Sequence, residues 1–291
     1  MSSRAVVIAH GRLHRHRKLL SLCKRVGHEP LLTESPLRAE HLAASLHSDV
    51  NELYVVGGDG TLNEVVNGLM RHDREHRPTV IVVPLGSGND TYRTLRSRWN
   101  GSAEWWDVMQ LTYCDEQGLA ALRYGINIAD VGLGGIVVKE FTAGLRRLPS
   151  RIGYAAAVVK GFMKARPHDM RLVLKGAEDS SHIEARMLMI SLANGRWFGS
   201  GLGIAPQADP TDGQLTLTMI GAVSVATYIR CLPALLRGTL IDDSRAKYAH
   251  AHSCVVDAHE PVPIEVDGEY VGTTPLTIEV VPCAIRLAPY L

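Results

Sequence analysis

Two carboxylates, Asp59 and Asp90, stand in glycine-rich runs, Gly57-Gly-Asp-Gly-Thr61 and Pro84-Leu-Gly-Ser-Gly-Asn-Asp90. Glycine permits positive φ and lets backbone N–H groups come close to a ligand, the arrangement that cradles phosphate. An acid is a poor direct partner for an anion, so the pair makes chemical sense if a divalent cation lies between carboxylate and phosphate. Mg2+ takes one or two carboxylates together with phosphate oxygens and water. A third acid, Glu269, directly follows Asp267-Gly268. Asp-Gly favours a two-residue type I′ turn, which pairs Val266 with Glu269 and Ile264 with Val271. Paired residues share a face, so Glu269 is expected among Ile264, Val266 and Val271 on the apolar side. Desolvation there would raise its proton affinity and suit it to general-base work. A solvated residue just past a turn is the plainer reading of the same pattern.

The elements that must hold these acids are legible around them. Leu53-Tyr-Val-Val56 reads as a strand entering the first glycine run, and Leu62, Val65, Val66, Leu69 and Met70 form one apolar helical stripe beyond it. Thr61 with Glu64, and Ser87 with Asp90, have capping-box spacing. Residues 79–83 form the strand that leads into the second run. One such loop alone could be no more than a well-capped turn. Two in succession imply parallel strands whose turns share one carboxyl edge, where open α/β sheets bind ligands. Neither loop is a common nucleotide fingerprint, because Asn63 stands where a dinucleotide fold has its third glycine and no Gly-Lys-Ser/Thr follows.

The first third alternates strand and helix: strands at 5–9 and 30–33, helices at 15–26 and 37–47, then the two glycine-loop units. A helix carrying Trp105 and Trp106 is expected over 102–111. Later segments favour strands, at 122–129, 170–174, 185–193, 215–220, 254–257, 264–271 and 276–287, interrupted by helices at 153–164 and 223–236. The fold expected is an α/β chain: a three-layer α/β domain with a parallel sheet over 1–120, to which 283–291 could return, and a β-rich, antiparallel, sandwich-like domain over 121–291. In 291 residues, 31 Lys and Arg balance 30 Asp and Glu, which argues against a generally basic nucleic-acid binder. No apolar run is long enough to span a bilayer and the N-terminus lacks a signal-peptide pattern, so a soluble cytoplasmic protein is expected. Five scattered cysteines fit reduced thiols, and the pairs His14/His16, His72/His76 and His250/His252 fit solvated positions better than a zinc site.

With both loops and the hairpin in view, the chain resembles soluble bacterial lipid kinases of the diacylglycerol kinase catalytic-domain family, within the group that includes sphingosine kinases and NAD kinases. The likeness runs through Gly57-Gly-Asp-Gly-Thr-Leu-Asn-Glu-Val-Val-Asn-Gly68, the second glycine run, Asn194-Gly195, Gly199-Ser-Gly201, Ala205-Pro206, Asp212-Gly213 and Asp267-Gly-Glu269. NAD kinases share Gly-Gly-Asp-Gly-Thr, whereas Asn63-Glu64-Val65 and the closing Asp-Gly-Glu resemble the lipid branch. The first loop, Ala9-His-Gly-Arg12, departs from the family's Asn-Pro-x-Ser-Gly-like pattern, and Ser87 replaces a common threonine while keeping the hydroxyl.

The resemblance implies ATP and Mg2+ as cofactors. The nucleotide would lie across Gly57, Gly58, Asp59, Gly60, Thr61, Leu62, Asn63 and Glu64, with Thr33, Gly86, Ser87 and Asn89 also in contact. Asp59 and Asp90 would serve the metal and phosphates. Glu269 would be the base that deprotonates a lipid hydroxyl. Asp212, with the carbonyls of Asp209 and Gln214, would form a structural metal site. The implied partner is a lipid of diacylglycerol, phosphatidylglycerol or sphingoid/ceramide type, met at the inner face of the membrane, with no nucleic acid involved; a homodimer is compatible with this. Arg12, Arg15, Arg17, Lys18, Arg146, Arg147 and Arg151 are candidates for head-group contact, with solvated helix ends the plainer account. The rival readings are a kinase of a soluble acceptor, as in NAD kinases, and a nucleotide- or lipid-binding regulator without catalysis.

Overall fold

The computed structural model describes residues 4–145, 150–176 and 182–291. It opens with β1 (Arg4–His10), α1 (Arg17–Val26), β2 (Leu31–Thr33), α2 (Arg38–Ala44), β3 (Val50–Gly57), α3 (Asp59–Leu69), β4 (Thr79–Pro84) and α4 (Asp90–Arg98). The four strands are parallel in the order β2-β1-β3-β4. Leu19 and Leu22 of α1 pack with Val7, Ala9 and Val56 on one face. From α2 and α3, Ala39, Ala43, Leu62, Val65, Val66 and Leu69 cover Ile8, Leu53, Val55 and Val80 on the other. Both faces are therefore buried, as parallel strands require, and the carboxyl ends of all four strands emerge at one edge.

Neither expected capping box forms. Helix α3 begins at Asp59 with Gly58 as its N-cap and no side-chain bond there. Glu64 instead accepts from the N–H of Ala39 at 3.0 Å, serving the first turn of α2, whose own N-cap, Leu37, has no side-chain acceptor. Helix α4 begins at Asp90, after Asn89 in the left-handed conformation, so Ser87 is not a cap.

The helix expected over 102–111 is a strand, β5 (Glu104–Cys114). Trp106 and Val108 face the core beneath the parallel sheet, whereas Met109, Leu111 and Tyr113 face the second core. Burial on both faces erases the polar alternation that marks a strand, and the spacing of Trp105, Trp106 and Met109 then imitates a helix. Trp106 is fully buried, and Trp105 stacks against the Arg74 guanidinium at 4.5 Å.

The remaining elements are β6 (Ala120–Gly125), β7 (Ile128–Gly132), α5 (Leu133–Ala143), α6 (Ser150–Lys164), β8 (His168–Lys175), β9 (His182–Met187), β10 (Met189–Ala193), β11 (Leu215–Ile220), α7 (Val225–Arg237), β12 (Ala246–Ala251), β13 (Ser253–Ala258), β14 (Pro263–Val266) and β15 (Glu269–Pro289). The strands expected over 122–129 and 185–193 are each broken in two, and α5 and β12 are additions. These strands pair antiparallel. The 21-residue β15 joins the halves: it is antiparallel to β5, β13 and β14 and parallel to β4, where Leu287, Ala288 and Pro289 meet Val80, Ile81 and Val82. Helices α5, α6 and α7 cover a third core of their own. No described helix is long and apolar enough to cross a membrane, and all five cysteines are free thiols.

Candidate active site

The two glycine loops touch backbone to backbone. A Cβ on Gly86 would lie 2.2 Å from the Gly58 Cα, and one on Gly58 would lie 3.0 Å from the Gly86 Cα, so both positions need glycine. The Leu85 N–H donates to the Gly57 carbonyl at 2.9 Å. Asn89 closes the second loop on itself: its Oδ1 accepts from the Gly86 N–H at 3.0 Å and its Nδ2 donates to the Gly86 carbonyl at 2.8 Å. Asp59 crosses between the units. Its two carboxylate oxygens accept from the N–H groups of Asp90 and Thr91, each at 3.0 Å, and so cap α4 from the neighbouring loop. Asp90 is buried, and its Oδ2 accepts from the Ser200 N–H at 2.8 Å. Burial, with the Asp59 charge beside it, pushes the Asp90 carboxyl up to about 6. Ser87 is exposed at the same rim, and Thr33 ends β2 beside Gly11 of the first loop.

Glu269 reaches this rim from the other half of the molecule. Its Oε1 lies 3.6 Å from where a Cβ on Gly60 would stand. Asp267 and Gly268 have φ of 50° and 85°, as a type I′ turn demands, and Val266 pairs with Glu269. A bulge between Ile264 and Glu265 then sets Ile264 opposite Gly272 rather than Val271. Glu269 is not desolvated among apolar neighbours; the plainer reading, a solvated residue just past the turn, is the one that holds. It sits at the open end of the hairpin with its side chain 43% exposed, paired with Arg123 at 2.6 Å. The same Arg123 nitrogen donates to Asn63 Oδ1 at 2.6 Å. Asn63 is fully buried, and its Nδ2 donates to the Tyr124 carbonyl and, at 2.6 Å, to Asp267. Asp267 also accepts from the N–H groups of Ile126, Asn127 and Ile128. Asn63 and Leu62 thus point into the protein, so only their backbone could meet a ligand.

Besides Asp267, the hairpin buries Glu265, which pairs across strands with Asp130. Burial pushes Asp130 up to about 8, and burial with the neighbouring Asp130 raises Glu265 well above the usual carboxylate range. Asp130 Oδ1 accepts from the Gly134 N–H at 2.9 Å, while its Oδ2 has no partner. Above this sheet face α5, α6 and α7 border an open cavity, lined by Leu133, Val137, Tyr154, Phe162, Phe198 and Tyr228 among other apolar side chains. Phe198 and Leu202 of the cavity flank Ser200, the residue that bonds Asp90. One short loop therefore borders both the cavity and the glycine rim.

The 209–214 loop lies at the other end of α4. Arg98, the last residue of that nine-residue helix, donates to Asp209 at 2.8 Å, so this loop is held at the end of α4 away from Asp90. Asp212 accepts from the Gln214 N–H, and Asp107, buried in β5, accepts from the N–H groups of Gly213 and Cys283 at 2.7 Å each. Burial is the main cause of the raised Asp212 carboxyl, with Asp209 and Asp107 adding to it. Among the described residues no group of three or more His, Cys, Asp or Glu is placed to hold a metal by itself. The rim acids do fit a divalent cation shared with a phosphate. Asp59 and Asp90 oxygens both fall within 3.5 Å of a Cβ position on Gly88, Asp90 Oδ1 is buried without a hydrogen bond, and Arg93 stands 3.9 Å away.

Gly57, Gly58, Asp59, Gly60, Gly86, Ser87, Asn89, Asp90 and Glu269 therefore converge, while Asp209, Asp212 and Gln214 lie apart from them. Arg123, Arg93 and Asp107 escaped sequence reading. Arg123 stands on a strand whose alternation gives no hint that its partner lies 146 positions away, and Asp107 falls in the segment mistaken for a helix.

Comparison with known proteins bears on these features. Residues 9–113 match the diacylglycerol kinase catalytic domain, and residues 129–289 match the YegS C-terminal NAD kinase beta sandwich-like domain. The chain is 30% identical to a diacylglycerol kinase of Bacillus subtilis (strain 168) over 238 residues, covering 77% of this chain and 72% of that one. It is 29% identical to a diacylglycerol kinase of Staphylococcus carnosus (strain TM300) over 233 residues, covering 79% and 74%. A solved structure from Bacillus anthracis str. Sterne shares the fold at a TM-score of 0.73 with 21% identity, covering 99% of this chain and 97% of that one. A crystal structure of a diacylglycerol kinase from the same organism does so at 0.69 with 18% identity, covering 98% and 96%. With both domain models matched in sequence order and a relative at this identity, the chain belongs to the diacylglycerol kinase catalytic-domain family.

Proposed function

We propose that this protein transfers the γ-phosphoryl group of ATP to a hydroxyl of a lipid. The observation that carries the reading is the approach of Glu269 to Gly60, which sets a carboxylate from the β-rich half against a glycine cradle that has an apolar cavity beside it. In this reading the N–H groups of the Gly57 to Thr61 and Gly86 to Asn89 loops receive the phosphates, with Thr33 and Ser87 offering hydroxyls to the nucleotide. Asp59 and Asp90 would hold a Mg2+ ion, which when bound neutralises phosphate charge. Glu269 accepts the proton of the acceptor hydroxyl as its oxygen bonds to the γ-phosphorus and the bond to the bridging oxygen of ADP breaks. Arg123 fixes the Glu269 carboxylate, and Asn63 and Asp267 fix Arg123 and the turn. Asp209, Asp212 and Gln214 would form a separate metal site that pins the far end of α4 to β5 and serves stability. Acyl chains of the acceptor lie in the cavity between α5, α6 and α7, which gives the lipid reading its advantage over a soluble acceptor.

The test is labelled ATP against diacylglycerol, phosphatidylglycerol and ceramide in mixed micelles, with NAD as the soluble control. A labelled lipid is the expected product; labelled NADP would replace this reading with that of a soluble acceptor, and binding without transfer would favour a regulator. Glu269→Gln should lower kcat by about 10²- to 10⁴-fold, the range for losing a general base, while ATP affinity stays nearly unchanged. Unaltered turnover would remove Glu269 from the role of base.

A further inference from the structure

We infer that the Tyr154 hydroxyl is a specificity contact for the acceptor, donating a hydrogen bond to the acyl carbonyl nearest the reacting hydroxyl. The inference rests on the lipid-kinase reading and narrows its substrate class to lipids whose chains are joined through an ester or an amide. Tyr154 stands on α6 and lines the apolar cavity. Its ring meets Phe141 of α5 edge-on, with centroids 6.1 Å apart, which limits the swing of the phenol. The hydroxyl lies against the loop that borders both cavity and rim. Gly199 of that loop has a φ of 57°, and a Cβ there would collide with the Tyr154 hydroxyl oxygen, so the backbone rests directly on the phenol. The next residue, Ser200, donates its N–H to Asp90 at 2.8 Å, and its Oγ lies 3.6 Å from where a Cβ on Gly88 would stand. The phenol is thus one residue removed from the acids of the glycine rim.

An acylated acceptor needs a donor at this place. Its chains require only apolar walls, but the carbonyl that joins a chain to the head gives up water on entering, and a buried carbonyl left without a donor is costly. That carbonyl lies within a few bonds of the hydroxyl that must reach Glu269, which sets it at the rim end of the cavity. Other polar side chains of the lining are engaged. Asp243 is paired with Arg230 and Arg245, the Thr227 hydroxyl is bonded to that of Ser224, and Tyr228 packs its ring on Phe162. The Tyr154 hydroxyl makes no hydrogen bond among the described residues. Burial, and then the nearby Glu265, Tyr228, Asp90 and Asp130, hold its proton more tightly than water does, so it remains a neutral donor. A site built around such a donor discriminates against an analogue that lacks the matching acceptor, because the donor is then left unpaired.

The experiment measures turnover of a short-chain glycerol diester, the matching diether and a short-chain ceramide, in mixed micelles, for the wild type and Tyr154→Phe. The diether keeps the chains and the reacting hydroxyl but has no carbonyl. Wild type should favour an acyl-linked acceptor, diester or ceramide, over the diether. Tyr154→Phe should lose about 3- to 10-fold more in kcat/KM on that acceptor than on the diether, the range for one neutral hydrogen bond, with KM for ATP unmoved. A merely structural role for Tyr154 would depress all acceptors equally. A differential loss on the diester assigns the contact to an ester carbonyl, and one on ceramide to an amide carbonyl. Equal losses on every acceptor, or a wild type that uses the diether as well as the acyl-linked lipids, overturns the inference. If the phenylalanine variant does not fold, the wild-type preference for acyl-linked acceptor over diether decides alone. No lipid phosphorylated by the wild type removes the lipid-kinase reading and the contact with it, whereas phosphorylation of all three without preference removes the contact alone.

Discussion

Asp90 carries a proton further up the pH scale than a carboxylate in water does, and that has a signed consequence. Its folded value of about 6 exceeds the ordinary 3.8 because burial and Asp59 disfavour the charge. The folded chain keeps a proton that the unfolded chain releases between about pH 4 and 6, so this contribution to stability is complete below the unfolded value and is lost as pH rises through about 6. The ligand-free wild type should therefore lose Tm across that interval relative to Asp90→Asn, whose amide buries no charge; superimposable profiles would refute the assignment. The same variant should bind Mg2+ and nucleotide weakly if Asp90 holds the cation, a trade of function against stability. At this scale the sequence was informative where glycine and acid types repeat in a short window. At Glu269 the hairpin turn and the solvated position just past it were legible, but a bulge and a partner on β6 were not. Arg123 could not be found from its neighbours, because an ion pair between distant strands leaves no local pattern.

The contact between the two glycine loops is a property of paired elements rather than of either loop. Gly86→Ala must push the loops apart, since its Cβ would fall 2.2 Å from the Gly58 Cα. The expected cost is about 1–3 kcal/mol of stability, typical of overpacking, with a loss of nucleotide affinity, measured by urea unfolding and titration calorimetry. An alanine variant with wild-type affinity would separate the loop contact from nucleotide binding. Helices α3 and α4 show why their register was visible and their caps were not. The apolar stripe of α3 is encoded in its own residues, whereas the cap of α4 comes from Asp59 and the first turn of α2 is served by Glu64, both across space. The error at β5 has a similar origin, because its two faces belong to different cores and no single period describes it.

Across the whole molecule one strand path runs from β12 to β2 with β15 near its middle. Removing residues 283–291 would strip β4 of its neighbour and take Ala284, Ile285 and Leu287 out of the core beneath the parallel sheet. That variant should melt at lower temperature with both halves affected, readable by hydrogen exchange in β1 and β3; full protection there would show that the parallel sheet stands without β15. The alternation of strand and helix revealed the parallel half, and the later strand segments revealed the β-rich half. Their joining was foreseen only as a returning C-terminal segment, because which edge a strand meets depends on the complete set of neighbours.

The shared strand also governs how substrates come and go. Two lobes riveted along a common backbone ladder do not gape like jaws on a flexible strap, so the gap between phosphate seat and Glu269 is fixed by registry. On the proposed lipid-kinase reading, a bulky acceptor then passes by yielding of the α6–α7 leaf or of the loop around Ser200, and compounds that wedge that leaf should obstruct the acceptor without displacing the nucleotide.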